Sequence, residues 1–117
     1  MDEIKLKESD VTGQILDMLN HIPNVYAYKH WAGPFGKEGI HDIICCFRGK
    51  FIAIEVKNPN AKLEYRRKPD GSSPQEDFAW NVKRALGKAL LVNSVDQVAE
   101  ELKLDITLFP MFKEKNK

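Results

Sequence analysis

The chain of 117 residues is long enough for one domain with its own core and too short for a second. Its 43% hydrophobic and 30% charged residues are typical of a globular protein, and no apolar run approaches the ~20 residues that a membrane-spanning helix needs. Because the formal net charge is only +1, binding to nucleic acid would depend on local clusters of cations.

A polar leader, residues 1–7, precedes an amphipathic helix. From Glu8 onward, apolar residues recur at helical spacing until Pro23 ends the pattern. Ser9 or Asp10 is the expected N-cap, which would leave Glu8 just outside the first turn. On these grounds alone Glu8 is a solvated charge near a helix start. The acidic, lysine-containing leader is not typical of a signal peptide.

Residues 25–31 predict the first strand of a sheet. Their alternation places Tyr26, Tyr28 and His30 on one face and Trp31 on the other. Trp31 is expected in the core, and a surface on which a base stacks is the alternative. The following residues, 32–38, contain two Gly-Pro or Gly-Lys pairs and predict a loop.

Two short apolar runs, Ile43–Phe47 and residues 51–56, predict a β-hairpin, because both are rich in β-branched and aromatic residues. Between them, Gly49-Lys50 suits a two-residue turn of type II′, which prefers glycine at its first central position. Cys45 and Cys46 in the first run are adjacent and lack the spacing of metal ligands. They are expected to be reduced core residues of a cytoplasmic protein.

The predicted turn would pair Asp42 with Lys57 and Ile44 with Glu55. Because alternate residues of a strand share a face, Asp42, Glu55 and Lys57 would project together from one end of the hairpin. Two carboxylates and an ammonium group on an otherwise apolar strand pair are costly without a ligand. The pattern indicates a metal site with a lysine beside it, and the alternative is a surface salt bridge at a strand end.

The polar stretch 58–73 is longer than most connections, which is typical of a functional or mobile segment. Its Arg and Lys residues, interleaved with Tyr65, suit contacts to phosphates and stacking on unpaired bases. A disordered hydrophilic excursion is the alternative. The candidate DNA-contacting residues, each with solvated surface charge as its alternative, are Lys29, Lys37, Lys62, Arg66, Arg67 and Lys68.

Ser73 as N-cap, followed by a proline and by Glu76 at the capping-box position, predicts a second helix. Gln75 in its first turn could face the hairpin, and an ordinary exposed glutamine is the alternative. The predicted end of this helix is Gly87. Its expected buried stripe consists of Phe78, Val82, Ala85 and Leu86.

The apolar run 89–92 predicts a central strand that is covered on both faces. Ser94 opens a last helix through about Lys103. The tail, residues 104–117, carries more apolar residues than a free tail needs, so it packs on the body or forms a subunit contact. The predicted order is α-β-β-β-α-β-α: a mixed sheet of the α/β class flanked by helices, in one domain with its core at about residues 8–103.

Asp42, followed by Glu55-Val56-Lys57 at the end of an apolar strand, resembles the motif of the PD-(D/E)XK nuclease superfamily. The surrounding sequence resembles the VRR-NUC (virus-type replication–repair nuclease) family. Residues 39–44 are similar to its Gly-x-Pro-Asp-apolar segment, and residues 73–78 to its Ser-Pro-x-Gln-x-x-Phe helix start, compressed by one residue. The likeness runs from about residue 8 to residue 102. One departure is that His41 stands where the family usually has proline.

This resemblance implies a restriction-endonuclease-like core and a DNA endonuclease that requires Mg²⁺ or Mn²⁺. It implies a role in replication or repair, on branched or junction DNA, in the cytoplasm of a bacterium or of a phage-infected host. Lys57 would orient the attacking water or stabilise the developing charge, and Gln75 would position water or the scissile phosphate. The implied metal ligands are Asp42, Glu55, the backbone carbonyl of Val56 and, through water or a second ion, Glu8.

The alternative function is a non-catalytic DNA-binding module on the same fold. The intact acidic and lysine motif argues against it, because a pure binder has no reason to place carboxylates near phosphates. A small domain would meet a DNA junction as a homodimer that presents two sites. We therefore expect a homodimer, with the tail or an exposed helix face in the contact.

Overall fold

The computed structural model describes residues 6–31 and 33–104 of the chain. The order of elements confirms the predicted fold class, a mixed α/β architecture. Within the described ranges, no helix is both long and apolar enough to span a membrane. In chain order the elements are helix α1 (Glu8–Asn20), strands β1 (Val25–Lys29), β2 (Ile43–Phe47) and β3 (Lys50–Val56), helix α2 (Pro74–Arg84), strand β4 (Lys88–Val92) and helix α3 (Val95–Glu101).

The four strands form one sheet in the order β1-β2-β3-β4. The first two pairs are antiparallel, and β4 runs parallel to β3 because the connection between them contains α2. The prediction of a central fourth strand is wrong, since β4 lies at the edge of the described sheet. Its apolar sequence has another reason: Ala89 is buried on the α2 side, and Leu90 and Val92 are buried on the side of α1 and α3.

Alternate residues of β3 separate two cores. Ile52, Ile54 and Val56 point towards α1 and α3 and join the larger core. Ala53 points the other way, into a smaller core with Ala79, Val82 and Ala89. The side of the sheet that carries α2 is called the α2 face below. Asp42, Glu55 and Lys57 belong to this face by alternation.

The hairpin turn lies one residue earlier than predicted. Phe47 pairs with Lys50, so Arg48-Gly49 occupies the turn. Both turn residues have positive φ, 51° and 87°, as a type I′ turn requires. The predicted type II′ turn at Gly49-Lys50 is therefore wrong. Arg48 tolerates the left-handed conformation because its N–H donates to the carbonyl of Asn24 at 3.0 Å, which holds this backbone in place.

The corrected turn changes the partners across the hairpin but keeps the faces. Ile43 lies opposite Ile54, so Asp42, one residue earlier, lies opposite Glu55 rather than opposite Lys57. The register differs from the predicted one by two residues. Because the side-chain period of a strand is two, an even shift leaves every side chain on its predicted face.

The first helix also begins earlier than predicted. Lys7 is the N-cap, and Glu8 is the first helical residue. The Asp10 carboxylate reaches back from the third helical position and accepts a hydrogen bond from the Lys7 N–H at 2.9 Å. The predicted N-cap at Ser9 or Asp10 is therefore wrong, and Glu8 lies inside the first turn.

Helix α2 begins as predicted and ends differently. The Ser73 hydroxyl accepts a hydrogen bond from the Glu76 N–H at 3.1 Å, which confirms the N-cap. The left-handed residue after the helix is Leu86, with φ 70°, and not Gly87. Leu86 and Ala85 are exposed, so their predicted burial is wrong. Gly87 allows a close approach of two backbone segments, because a Cβ at this position would lie 3.0 Å from the Phe51 carbonyl oxygen.

Two residues expected in the core are exposed. Trp31 has 77% of its surface exposed, because β1 ends at Lys29 and the indole lies beyond the sheet. Cys46 is exposed on the α2 face, whereas Cys45 is buried as predicted; both are free. The predictions for the tail concern residues 104–117, of which only Leu104 lies in the described ranges. Residues 1–5 of the leader also lie outside them.

Candidate functional site

The two candidate carboxylates lie side by side at one end of the β2–β3 pair. The Oδ2 atom of Asp42 accepts a hydrogen bond from the backbone N–H of Val56 at 2.8 Å. This bond fixes the Asp42 carboxylate across the strand pair, next to Glu55. On the neighbouring strand, the His30 N–H donates to the Asp42 carbonyl at 2.8 Å and extends β1 towards the same point. The sheet therefore determines where both acidic groups lie.

Glu55 is a buried carboxyl group with one oxygen in contact with polar partners. Only 5% of the surface of Glu55 is exposed. The Oε2 atom accepts a hydrogen bond from Gln75 Nε2 at 2.9 Å and lies 3.5 Å from Lys57 Nζ. The Oε1 atom is buried without a hydrogen-bond partner among the described residues. Burial and the nearby charge of Asp42 raise the pKa of Glu55 from 4.5 to about 7, although the Lys57 cation opposes them.

Gln75 bridges the strands and the loop from the first turn of α2. Its Oε1 atom accepts hydrogen bonds from Lys57 Nζ and from the Arg66 N–H, both at 3.1 Å. Its Nε2 atom donates to Glu55. With 9% of its surface exposed, Gln75 is not the ordinary exposed glutamine that the sequence left as an alternative.

A close backbone contact brings the start of α2 to the carboxylates. Gly39, three residues before Asp42, has φ 84°. A Cβ atom at this position would lie 2.2 Å from the carbonyl oxygen of Pro74, the first residue of α2. Only glycine fits here, because both the conformation and the space exclude a side chain. The contact places Gln75 over the hairpin.

His41 is a site residue that the sequence analysis treats only as a departure from the family pattern. It is fully buried, and its ring stacks on Tyr65 with centroids 5.5 Å apart and packs at 4.9 Å against Phe78. Its Nδ1 atom lies 3.7 Å from Glu55 Oε1. Burial lowers the pKa of His41 from 6.5 to about 4, so the ring is neutral at pH 7. Its apolar surroundings come from distant segments, which explains why no local pattern revealed it.

Two residues of the loop 58–73, Tyr65 and Arg66, contact this site. The Tyr65 hydroxyl lies 3.4 Å from His41 Nε2. The next residue, Arg66, donates its N–H to Gln75 and accepts a hydrogen bond from the Ser73 hydroxyl at 2.8 Å through its carbonyl. The loop therefore closes over the Gln75 side of the carboxylates.

Two of the candidate DNA-contacting cations are already paired with carboxylates. Arg67 Nη2 lies 3.0 Å from both carboxylate oxygens of Glu76, and Lys68 Nζ lies 2.8 Å from Glu38. Lys29 Nζ lies 4.3 Å above the Trp31 ring. The candidates whose side chains are exposed and make no ion pair with a described residue are Lys37, Lys62 and Arg66.

Among the described residues, no direct contact joins Glu8 to the other candidate residues. Its carboxylate is exposed in the first turn of α1. In residues 6–31 and 33–104 it makes no hydrogen bond or ion pair with Asp42, Glu55 or Lys57.

Asp42 and Glu55 supply carboxylate oxygens that could bind a divalent cation. No group of three or more His, Cys, Asp or Glu side chains in the described ranges could hold a metal ion by itself. Two carboxylates nevertheless suit Mg²⁺, which binds oxygen and retains several waters of its own. The Glu55 Oε1 atom lacks a partner, and the charge of Asp42 disfavours ionisation of Glu55. A cation between the two carboxylates would relieve both effects, so the residues fit Mg²⁺ or Mn²⁺.

Comparisons of the chain with protein-family models, with curated proteins and with solved structures found no match. The resemblance to the VRR-NUC family therefore rests on the motifs quoted above and stays a prediction.

Proposed function

We propose that the protein is a divalent-metal-dependent endonuclease that hydrolyses phosphodiester bonds of DNA. One observation carries the proposal. Asp42, Glu55, Lys57 and Gln75 converge at one end of the sheet, where one buried oxygen of Glu55 has no hydrogen-bond partner among the described residues. A structural salt bridge would not need the second carboxylate, which makes ionisation of Glu55 harder.

In this mechanism Asp42 and Glu55 would hold the divalent ion, with the Val56 carbonyl as a further ligand. When bound, the ion supplies Lewis acidity towards a phosphoryl oxygen and lowers the pKa of a water. Lys57 is a compact cation whose ammonium group orients the attacking water or stabilises charge that develops on the phosphoryl oxygens. Its side chain is 18% exposed, so a substrate can reach it.

Gln75 positions water or the scissile phosphate, because its amide both donates and accepts hydrogen bonds. In the resting arrangement that amide bridges Glu55 and Lys57. Substrate would replace one of these contacts. The proposal includes three further parts. Glu8 contributes through water or a second ion, the substrate is branched or junction DNA, and the protein acts as a homodimer.

The test is a cleavage assay on labelled single-stranded, flapped and four-way-junction DNA with Mg²⁺ or Mn²⁺, with EDTA as the metal-free control. We expect cleavage that requires the metal and is fastest on a branched substrate. Binding of DNA without cleavage under all these conditions would favour the non-catalytic module. Light scattering over a dilution series measures the oligomeric state of the same preparation.

A further inference from the structure

The α2 face of the sheet is uncovered over β1 and the neighbouring half of β2. Helix α2 packs against β4 and β3. On β1, Tyr26 and Tyr28 point to this face and are 67% and 47% exposed. Tyr26 lies opposite Cys46, which in turn lies opposite Phe51, and both of these are also exposed. A contiguous exposed patch of this kind is typical of an interaction surface.

We propose that Tyr26 and Tyr28 form a stacking platform for unpaired nucleotides of the DNA substrate, next to the scissile phosphate. The choice of DNA rests on the proposed function. The two rings would each bind one base through its π-face, as aromatic side chains do in proteins that bind single strands without sequence preference. Ring-dependent binding of single-stranded DNA is therefore a property of this surface, separate from cutting.

The two rings lie on the same face of the sheet as the candidate site and close to it. On the same face, Tyr28 lies opposite Ile44, two residues from Asp42 along β2. The next position of β1, His30, is hydrogen-bonded to the Asp42 carbonyl. Tyr26, Tyr28 and Asp42 therefore lie in successive rows of the sheet, about 7 Å apart, the separation of alternate strand residues.

The spacing of the rings selects an unpaired strand. Their centroids are 5.9 Å apart, and their planes are inclined by 37°. Consecutive bases in a duplex are stacked at about 3.4 Å, so they cannot each lie on one of these rings. An extended, unstacked strand can place consecutive bases at the wider spacing and present their faces, which a duplex hides.

The rows of the α2 face that hold Tyr26 and Tyr28 contain no Asp or Glu, and the first carboxylates on this face are those of the candidate site in the next row. Lys29 and Lys50 alternate with the platform residues and belong to the opposite face of the sheet. The platform therefore binds bases through its rings rather than phosphates through cations.

The experiment measures binding without cleavage. Anisotropy of fluorescein-labelled oligothymidylate and of a blunt duplex of equal length is titrated with the full chain in EDTA. The ring-deleting variant is Tyr26→Thr with Tyr28→Thr, because threonine retains the preference for a strand. The ring-retaining control is Tyr26→Phe with Tyr28→Phe. A second control, Trp80→Gln, removes an exposed aromatic side chain from the solvent side of α2.

We expect the double threonine variant to bind the single strand about tenfold or more weakly, since a stacked base contributes roughly 1–3 kcal/mol. Its affinity for the duplex should change little, and both controls should bind like the wild type. If circular dichroism shows that the double variant is unfolded, the two single threonine variants replace it. Unchanged single-strand affinity, or an equal loss in the phenylalanine control, overturns the platform.

Other outcomes separate this inference from the proposed nuclease. Ring-dependent binding by a protein that never cleaves DNA with Mn²⁺ rejects the nuclease and supports the platform. Cleavage combined with ring-independent binding rejects the platform alone. If light scattering shows that the threonine variant dissociates a dimer while DNA affinity is unchanged, this face is a contact between two copies of the chain, and the platform is rejected.

Discussion

The side-chain amide of Gln75 donates a hydrogen bond to the Oε2 atom of Glu55 at 2.9 Å. This contact joins the first turn of α2 to β3, and the same amide accepts a hydrogen bond from Lys57. The helix start therefore helps to hold the lysine and the buried carboxyl group of the candidate site in a defined arrangement.

Replacement Gln75→Ala should slow cleavage at least tenfold, because Lys57 and Glu55 lose the amide that bridges and positions them. Affinity for Mn²⁺ in calorimetry should change little, since Gln75 is not a proposed ligand. The matched control is Gln97→Ala in the first turn of α3. The Gln97 amide exchanges hydrogen bonds of 2.7 and 2.8 Å with Asn93, away from the site. Equal loss of activity in both variants would mean that the effect is one of stability.

Asp42→Asn and Glu55→Gln should each abolish metal-dependent cleavage and weaken Mn²⁺ binding in calorimetry. The metal-free variants should be as stable as the wild type or more stable, because one of two repelling carboxylates is gone. Asparagine can still accept the Val56 hydrogen bond, which protects the fold. Asp77→Asn, an exposed carboxylate in the first turn of α2, is the control. Cleavage at the wild-type rate in either site variant contradicts the assignment.

Stability without metal should depend on pH through Glu55. Burial and the charge of Asp42 raise its pKa from 4.5 to about 7, so the folded protein binds more protons than the unfolded chain between these values. The resulting stabilisation is complete below pH 4.5 and is lost as pH rises through about 7. The free energy of unfolding of Glu55→Gln, relative to that of the wild type, should therefore rise from pH 4.5 to pH 8 by on the order of 2–3 kcal/mol.

Urea unfolding of both proteins in EDTA at pH 5 and pH 8 measures this difference. His41 works in the opposite direction, because burial lowers its pKa from 6.5 to about 4 and acid must charge a buried ring. Both proteins contain His41, so its effect largely cancels in the comparison. A difference in the free energy of unfolding that is flat with pH would contradict the raised pKa of Glu55.

Gly39→Ala should destabilise the fold more than Gly49→Ala, although both glycines have positive φ near 85°. The left-handed backbone costs alanine roughly 1–2 kcal/mol at either position. A Cβ at Gly49 meets open space, whereas one at Gly39 lies 2.2 Å from the Pro74 carbonyl oxygen. Thermal melts should rank the variants in this order, and only Gly39→Ala should lose cleavage. Equal destabilisation would mean that α2 can move away without cost.

Arg66→Gln and Lys62→Gln should each weaken binding of duplex DNA and reduce the slope of log affinity against log salt by about 0.9 if they contact a phosphate. Arg67→Gln and Lys68→Gln should change the slope less, because Glu76 and Glu38 already neutralise these cations. Salt titrations of the four variants test this ranking. A slope unchanged from the wild type in all four variants would assign the loop cations to solvent or to a protein partner.

The elements and faces of this protein could be predicted from the sequence because they depend on local patterns. Apolar periodicity identifies each helix and strand, and the Ser73 cap determines where α2 begins. Alternation along β3 places Glu55 and Lys57 on one face, whatever the turn. An error of two residues in the hairpin register therefore left the acidic pair intact, whereas an error of one would have separated Asp42 from Glu55.

Only the tertiary structure decided the contacts between residues that are far apart in sequence. The bridging role of Gln75 requires α2 to start against Gly39, and the burial of His41 requires Tyr65 from the loop. The pairing of Arg67 with Glu76 and the uncovered rings of β1 likewise follow from where α2 packs on the sheet. Local propensity carries no information on such distances, because they are set by how the elements share one core.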